Sequence, residues 1–275
     1  MIFITKFIDK YLGDVICQIL SFFNRNRSLD AENHKYGKIL VIQLWGVGET
    51  ILTLPAIDAL RAKFPKAEID VLATSRNKDV YFNNKDIDNI IRINLNPFSI
   101  VNFIFKNLNE YDLAMDMEEY LNVSAIISFF VGKRVVGYSH NSRAKLYTKT
   151  VKYNDKQHAV QTFLDLARAS GIACDADRLP KLNFSKNDKN FVDKFLRDNK
   201  VKKADFLVCV APGAAESAKA RMWPYERYAE LCDEIIIKHK AKIIFTGTPD
   251  ESGLISDIQK KMEGKEAISA AGKMT

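Results

Sequence analysis

The order of apolar and polar positions sets the plan of this chain. From Ile39 to Leu44 it reads ILVIQL, apolar at nearly every place. Such a run is too short and too β-branched for a helix of its own, and it suits a strand covered on both faces. Comparable strand candidates are 38–44, 68–73, 89–93, 112–116 and 134–137, with helices fitting between them, for example at 51–63 and 118–130. Alternation of this kind predicts βαβ units and a parallel sheet. A helix follows from about Gln157 to Ser170, closed by Gly171. Residues 172–187, with Pro180, then read as a crossing, and a helix is expected near 188–199. The alternation restarts with strand 206–210, helix 224–239 opened by Pro224, strand 242–246, helix 252–262 and a last strand near 266–270. The second sheet is therefore expected to be incomplete.

The front of the chain is patterned differently. Residues 2–23 place Phe7, Tyr11, Leu12, Val15, Ile19 and Phe23, among others, at helical spacing. Lys6, Asp9, Lys10 and Asp14 interrupt the run, so it does not read as a spanning helix, and it lacks the cleavage site of a secretory signal. Two readings stand. The helix packs on the protein's own body or on a partner, or it lies in an anionic membrane surface with Arg25 and Arg27 at the headgroups. Residues 24–37 read as a linker. The expected organisation is thus 1–36 helix and linker, 37–185 first α/β domain, and 186–275 partial second domain.

Composition narrows this picture modestly. The 275 residues are 47% hydrophobic and 27% charged, as in soluble globular proteins. A net charge of +7 suits anionic partners: nucleic acid, an anionic membrane surface or phosphorylated small molecules. Cys17, Cys174, Cys209 and Cys232 form no CxxC pair. They read as reduced, buried thiols of a cytoplasmic protein, not as a disulfide frame or a zinc site.

Candidate chemistry sits just past the strands, where open α/β sheets carry their sites. After the first strand comes Gly46-Val47-Gly48-Glu49, a glycine turn that allows close approach of a ligand. Glu49 either caps the following helix or, ionised by the helix N-terminus, accepts a proton. GVGETI lacks the third glycine of a dinucleotide fingerprint, EIDVLATSR ends without a ribose-binding acid, and no P-loop GK[ST] is present. The second loop, from Ala211 to Tyr228, reads APGAAESAKARMWPYERY. Gly213, Ala214, Ser217, Lys219 and Arg221 make either a phosphate cradle or an exposed charged loop. In the third, Thr246 to Glu251, Glu251 either caps the next helix or meets a ligand hydroxyl. Asp86-Ile87-Asp88 and Asp175-Ala176-Asp177 match a metal-holding DxD pattern but read as solvated turns. Lys133, Arg134, His140, Arg143 and Lys145, around Gly137, read as a solvated basic face, with contact to an anionic acceptor as the alternative, and His158 as a structural residue at a helix start.

Taken together, these segments resemble glycosyltransferase family 9, the heptosyltransferase family. KILVIQLWGVGETILTLPAIDALRAKFPKAEIDVLA resembles the family's opening, a strand followed by R-x-G-G-x-G-D, an apolar run, a Pro, a helix and FP-x-A-x-I. APGAAESAKARMWPYERYAEL resembles its donor-loop motif, P-G-A followed by K-x-W-P, and TGTPDE resembles its G-x-P-x-E turn. AMDMEEYLNVSAI and RVVGYS are also similar to family segments. The resemblance implies a GT-B fold of two Rossmann-like parallel-sheet domains, the N-terminal one taking the acceptor and the C-terminal one a nucleotide sugar such as ADP-heptose. It implies inverting transfer to a lipopolysaccharide-like or lipid-linked saccharide at the cytoplasmic membrane face, with no cofactor, no metal and no nucleic acid.

Residue by residue, the resemblance puts Glu49 where the family has an Asp base. It puts Arg221 where the family has a phosphate-binding Lys, and Glu251 on the acid near the nucleoside. Gly46 and Gly48 fall in the cleft loop. Gly213, Ala214, Ser217 and Lys219 fall in the donor loop. Glu for Asp at 49 moves the carboxylate by one methylene, Arg for Lys at 221 changes the geometry of the charge, and Gln43 replaces an Arg. The family's later D-x-G-x-x-H segment has no counterpart here, so the resemblance implies a truncated member that need not be active alone. A non-catalytic nucleotide-sugar or envelope-saccharide binding protein of the same fold is the alternative. Sugar, base and acceptor stay open.

Overall fold

The structure, a computed structural model, describes residues 8–23, 36–214, 216–264 and 267–273, and of Glu216 and Ser217 the backbone alone. Ile4 and Phe7 of the front helix, most of the linker and the Ser217 side chain thus lie outside the described residues. The chain divides into two compact units between Phe184 and Ser185.

The first unit is built on β1 (Lys38–Ile42), β2 (Glu68–Ala73), β3 (Asn89–Arg92), β4 (Leu113–Asp116), β5 (Val135–Tyr138) and β6 (Lys149–Val151). They form one parallel sheet in the order β3-β2-β1-β4-β5-β6. The order reverses between β1 and β4, so the loops leaving those two strands flank the crevice at the sheet's carboxyl edge. Along β1, Ile39 and Val41 enter one core while Leu40 and Ile42 enter the other, and all four are fully buried. Burial on both faces is why the run carries no polar alternation.

Five helices cover this sheet: α1 (Asp14–Ser21), α2 (Val47–Lys63), α3 (Pro97–Lys106), α4 (Asn122–Val131) and α5 (Ala159–Ala169). Residues of α2 and α5, such as Leu54, Leu60, Phe163 and Leu166, pack in one core. Residues of α1, α3 and α4, such as Cys17, Phe103 and Ile127, pack in the other. The periodicity did not predict α3 or β6. The first has a start signal all the same: Asn96 caps it, accepting from Ser99 N at 2.8 Å, and Pro97 takes the first turn. The second is three residues long, too short to show a period.

Two local expectations are corrected. The turn after β1 needs only Gly46, which adopts φ +76°, and α2 then starts at Val47, earlier than 51. Gly48 is therefore a first-turn helical residue, and a Cβ there would meet nothing within 4 Å. Arg143 is not on a solvated face. It is fully buried, with Nη2 donating to Asp116 Oδ2 and to Glu118 O, both at 2.7 Å. A guanidinium enters the interior only with such partners. His158 is structural as expected: it caps α5, its Nδ1 accepting from Val160 N at 3.3 Å.

The front helix packs on the body. A π-helical turn, Asp9–Gly13, leads into α1. Asp9 accepts from Asn122 N at 2.9 Å and Val123 N at 2.8 Å, the first amides of α4. Leu121, at the N-cap of α4, offers no side-chain bond, so a residue 113 positions away does the capping. Gly13 lies so close to α4 that a Cβ on it would be 2.7 Å from Asn122 Cβ, and Cys17 is fully buried.

The second unit carries β7 (Leu207–Val210), β8 (Lys242–Phe245) and β9 (Ile268–Ser269), parallel in that order. Its helices are α6 (Lys186–Asp198), α7 (Tyr225–His239) and α8 (Ser252–Lys261). Ser185 and Asp188 form a reciprocal capping box at the start of α6. Ile243, Phe245, Cys232 and Ile258 make the main core, and Phe195 packs with Ile244 and Ala270 in the other. Cys209, expected to be buried, is exposed on the edge strand β7, and Cys174 is half-buried. Among the described residues no helix is long and apolar enough to cross a membrane.

Candidate active site

The loop leaving β1 is held from three sides. Leu44 N and Trp45 N donate to Glu118 Oε1, at 2.5 and 2.8 Å, from the segment after β4. Thr74, at the end of β2, donates its hydroxyl to Leu44 O at 3.0 Å. Asn77 Nδ2 donates to Gln43 O at 2.7 Å and to Thr50 Oγ1 at 2.9 Å. Gln43 is buried and donates to Trp45 O at 2.7 Å. Burial pushes the Glu118 carboxyl up to about 8, against the lowering effect of the two amides.

On this fixed loop Glu49 stands exposed in the first turn of α2. The N-cap is Gly46, and the Glu49 carboxylate folds back over it: a Cβ on Gly46 would lie 2.6 Å from Glu49 Oε2. The positive φ favours glycine there, and a larger residue would also displace the Glu49 side chain.

Residues from the neighbouring loops, to which the sequence assigned no role in the site, join this edge, among them half-buried His140, which was expected on a solvated basic face. Glu119 lies 3.4 Å from His140 Nε2, and the His140 ring stacks on Tyr120 at 5.7 Å and tilts against Tyr153 at 5.6 Å. Burial, the Glu119 carboxylate and the charge of Glu49 together push the Tyr153 phenol up to about 12. The signal that could have found them is acids and an aromatic, Glu118-Glu119-Tyr120, directly after an apolar strand.

In the second unit the loops after β7 and β8 close on Glu251. A Cβ on Gly213 would fall 1.9 Å from Glu251 Oε1, and one on Gly247 2.6 Å from Oε2. Glu251 Oε2 accepts from Thr248 N at 2.7 Å within a capping box, so the capping reading of Glu251 is realised and fixes its carboxylate against the loop after β7. Gly213 and Ala214 are half-buried beside it. Lys219 and Arg221 lie exposed on the 3-10 turn Glu216–Arg221 that follows. Trp223 then packs edge-on to Tyr228 at 5.5 Å. Small residues, backbone amides and two cations together can receive a diphosphate.

The DxD triplets are tied into the fold. Asp88 accepts from Ile69 N at 2.7 Å and pairs with Arg61 at 2.5 Å, and Asp175 Oδ1 accepts from Gln161 at 2.7 Å.

Comparison with known proteins agrees with this layout. The family model of glycosyltransferase family 9 (heptosyltransferase) matches residues 104–275. Lipopolysaccharide heptosyltransferase 2 of Escherichia coli K12 is 26% identical over 230 residues, covering 78% of this chain and 64% of that protein. Lipooligosaccharide heptosyltransferase 2 of Haemophilus influenzae is likewise 26% identical, over 228 residues, with the same shares. This chain thus spans 64% of the length of these curated relatives. A solved family 9 glycosyltransferase from Veillonella parvula superposes with a TM-score of 0.77 at 20% identity, covering 91% of this chain and 72% of that one. The E. coli ADP-heptose lipopolysaccharide heptosyltransferase II gives 0.67 at 21% identity, covering 86% and 73%. These structural likenesses establish a GT-B-like α/β fold. With the family model covering well over half of it, the chain belongs to glycosyltransferase family 9, the heptosyltransferase family.

Proposed function

We propose that this protein transfers a heptose-type sugar from a nucleoside-diphosphate donor to a lipopolysaccharide-like or lipid-linked saccharide, at the cytoplasmic face of the cell membrane. The observation that carries the reading is Glu49, an exposed carboxylate on a loop held rigid by Glu118, Thr74 and Asn77 at the switch point of a Rossmann-order sheet. Glu49 takes the proton of the acceptor hydroxyl. The freed oxygen attacks the anomeric carbon from the face opposite the leaving group. The bond to the diphosphate breaks, and the nucleoside diphosphate departs with the electron pair, so the configuration inverts. Gly213, Ala214, Ser217 and the loop amides receive the phosphates, and Lys219 and Arg221 neutralise the charge that develops. No metal is needed for this charge balance. The rings of Tyr120, His140 and Tyr153 offer the acceptor sugar a stacking surface.

The test is transfer itself, followed by mass spectrometry, from ADP-heptose and from GDP- and UDP-sugars to a lipopolysaccharide-core acceptor, with and without EDTA. Expected is acceptor heavier by one sugar and unaffected by EDTA. Calorimetric titration of ADP should show Arg221→Ala binding roughly tenfold more weakly, since a charge-assisted bond is worth about 1.5–3 kcal/mol. Binding without transfer would favour the non-catalytic reading. Neither binding nor transfer would reject both.

A further inference from the structure

Surface helices of globular proteins ordinarily turn their apolar stripe inward. The front helix turns much of its apolar surface outward instead. Its inward face holds Asp9, which caps α4, Gly13, which abuts Asn122, and fully buried Cys17, with Ile16 and Leu20 half-buried. Asp14 is also engaged with the body, bonding to the Ser142 hydroxyl and accepting from Gln18. Both acids of the segment are thereby used up. Outward stand Leu12, Val15, Ile19 and Phe22, at spacings of three, four and three, with Phe22 87% exposed. The α3 helix repeats the pattern. Phe103 packs inward, while Phe98 and Phe105 are 83% and 76% exposed. Both helices lie on the same face of the first sheet, in the core they share with α4.

The exposed charges carried by these two helices themselves are cations. The α3 segment Pro97–Lys106 contains no acid and ends in exposed Lys106, and Lys10 is the exposed cation of the front helix. In the sequence Lys6, Arg25 and Arg27 bracket the front segment. An apolar stripe with phenylalanines, rimmed by cations and cleared of acids, fits an anionic lipid surface, where rings enter the acyl boundary and cations meet headgroups.

We infer that α1 and α3 together form a membrane-docking face of the first unit, seating on anionic bilayer. This face is wider than the front helix and includes Phe98 and Phe105, which lie outside the N-terminal segment. The inference stands apart from sugar transfer, because it concerns binding to bare lipid.

The test is cosedimentation of the intact protein with vesicles of phosphatidylethanolamine and phosphatidylglycerol, and with phosphatidylcholine alone. The variants are F22S/F23S, F98S/F105S and K10E/K106E. A control, I237S, changes a 75%-exposed residue of the second unit. Expected is binding to anionic vesicles that weakens with salt and falls about tenfold or more in each double variant, with I237S like wild type. Urea midpoints equal to wild type would show that the exposed positions carry no folding role. Absence of wild-type binding overturns the inference, as does F98S/F105S binding like wild type. A dimer seen by sedimentation, abolished by the same variants with no lipid binding, would assign the face to a second copy and equally overturn it.

Discussion

Glu118 shows how one buried acid serves an exposed one. Both amides of the β1 loop donate to its Oε1. Its carboxyl is raised from 4.5 to about 8 by burial. Between those values the folded protein holds a proton that the unfolded chain has lost, so stability falls as pH rises through the window. In denaturant titrations at pH 5 and pH 8, the wild type should lose on the order of 1 kcal/mol or more over that interval. Glu118→Gln, which keeps the acceptor oxygen and cannot ionise, should show a much smaller loss. Equal declines in the two proteins would contradict this account of the loop. Glu49 was legible in the sequence because it follows a glycine turn after an apolar strand. The role of Glu118 was not, since its donors are 73 and 74 positions away.

At the scale of elements, the same contrast recurs. β1 was readable because burial on both faces makes it a continuous apolar run, and the helices of the second unit because the alternation of elements restarts there, with Pro224 at one helix start. β6 was not, being a three-residue edge strand, and α3 was passed over although Asn96-Pro97 announces it. The front helix was ambiguous because its pattern could serve either side. Asp9 resolves its packing: it closes the N-terminus of α4, which has no cap of its own. Asp9→Ala should therefore lower the free energy of unfolding by about 1–2 kcal/mol, read from the urea midpoint, with Asp9→Asn recovering part of the loss. An unchanged midpoint in the Ala variant would mean that the contact contributes nothing.

At the scale of the molecule, two parallel sheets each end in a loop cluster with its own chemistry. The first offers a carboxylate on a braced turn, the second a glycine-lined loop with two exposed cations. That division matches what sugar transfer requires, a base for the acceptor and a receiver for the diphosphate, and it is why Glu49 bears the central claim. General-base catalysis contributes roughly 10²–10⁴-fold. Turnover by Glu49→Gln, measured beside wild type under saturating donor, tests that claim most directly. The account predicts turnover lower by at least about a hundredfold, with ADP affinity and urea midpoint unchanged. Turnover near that of wild type would contradict it.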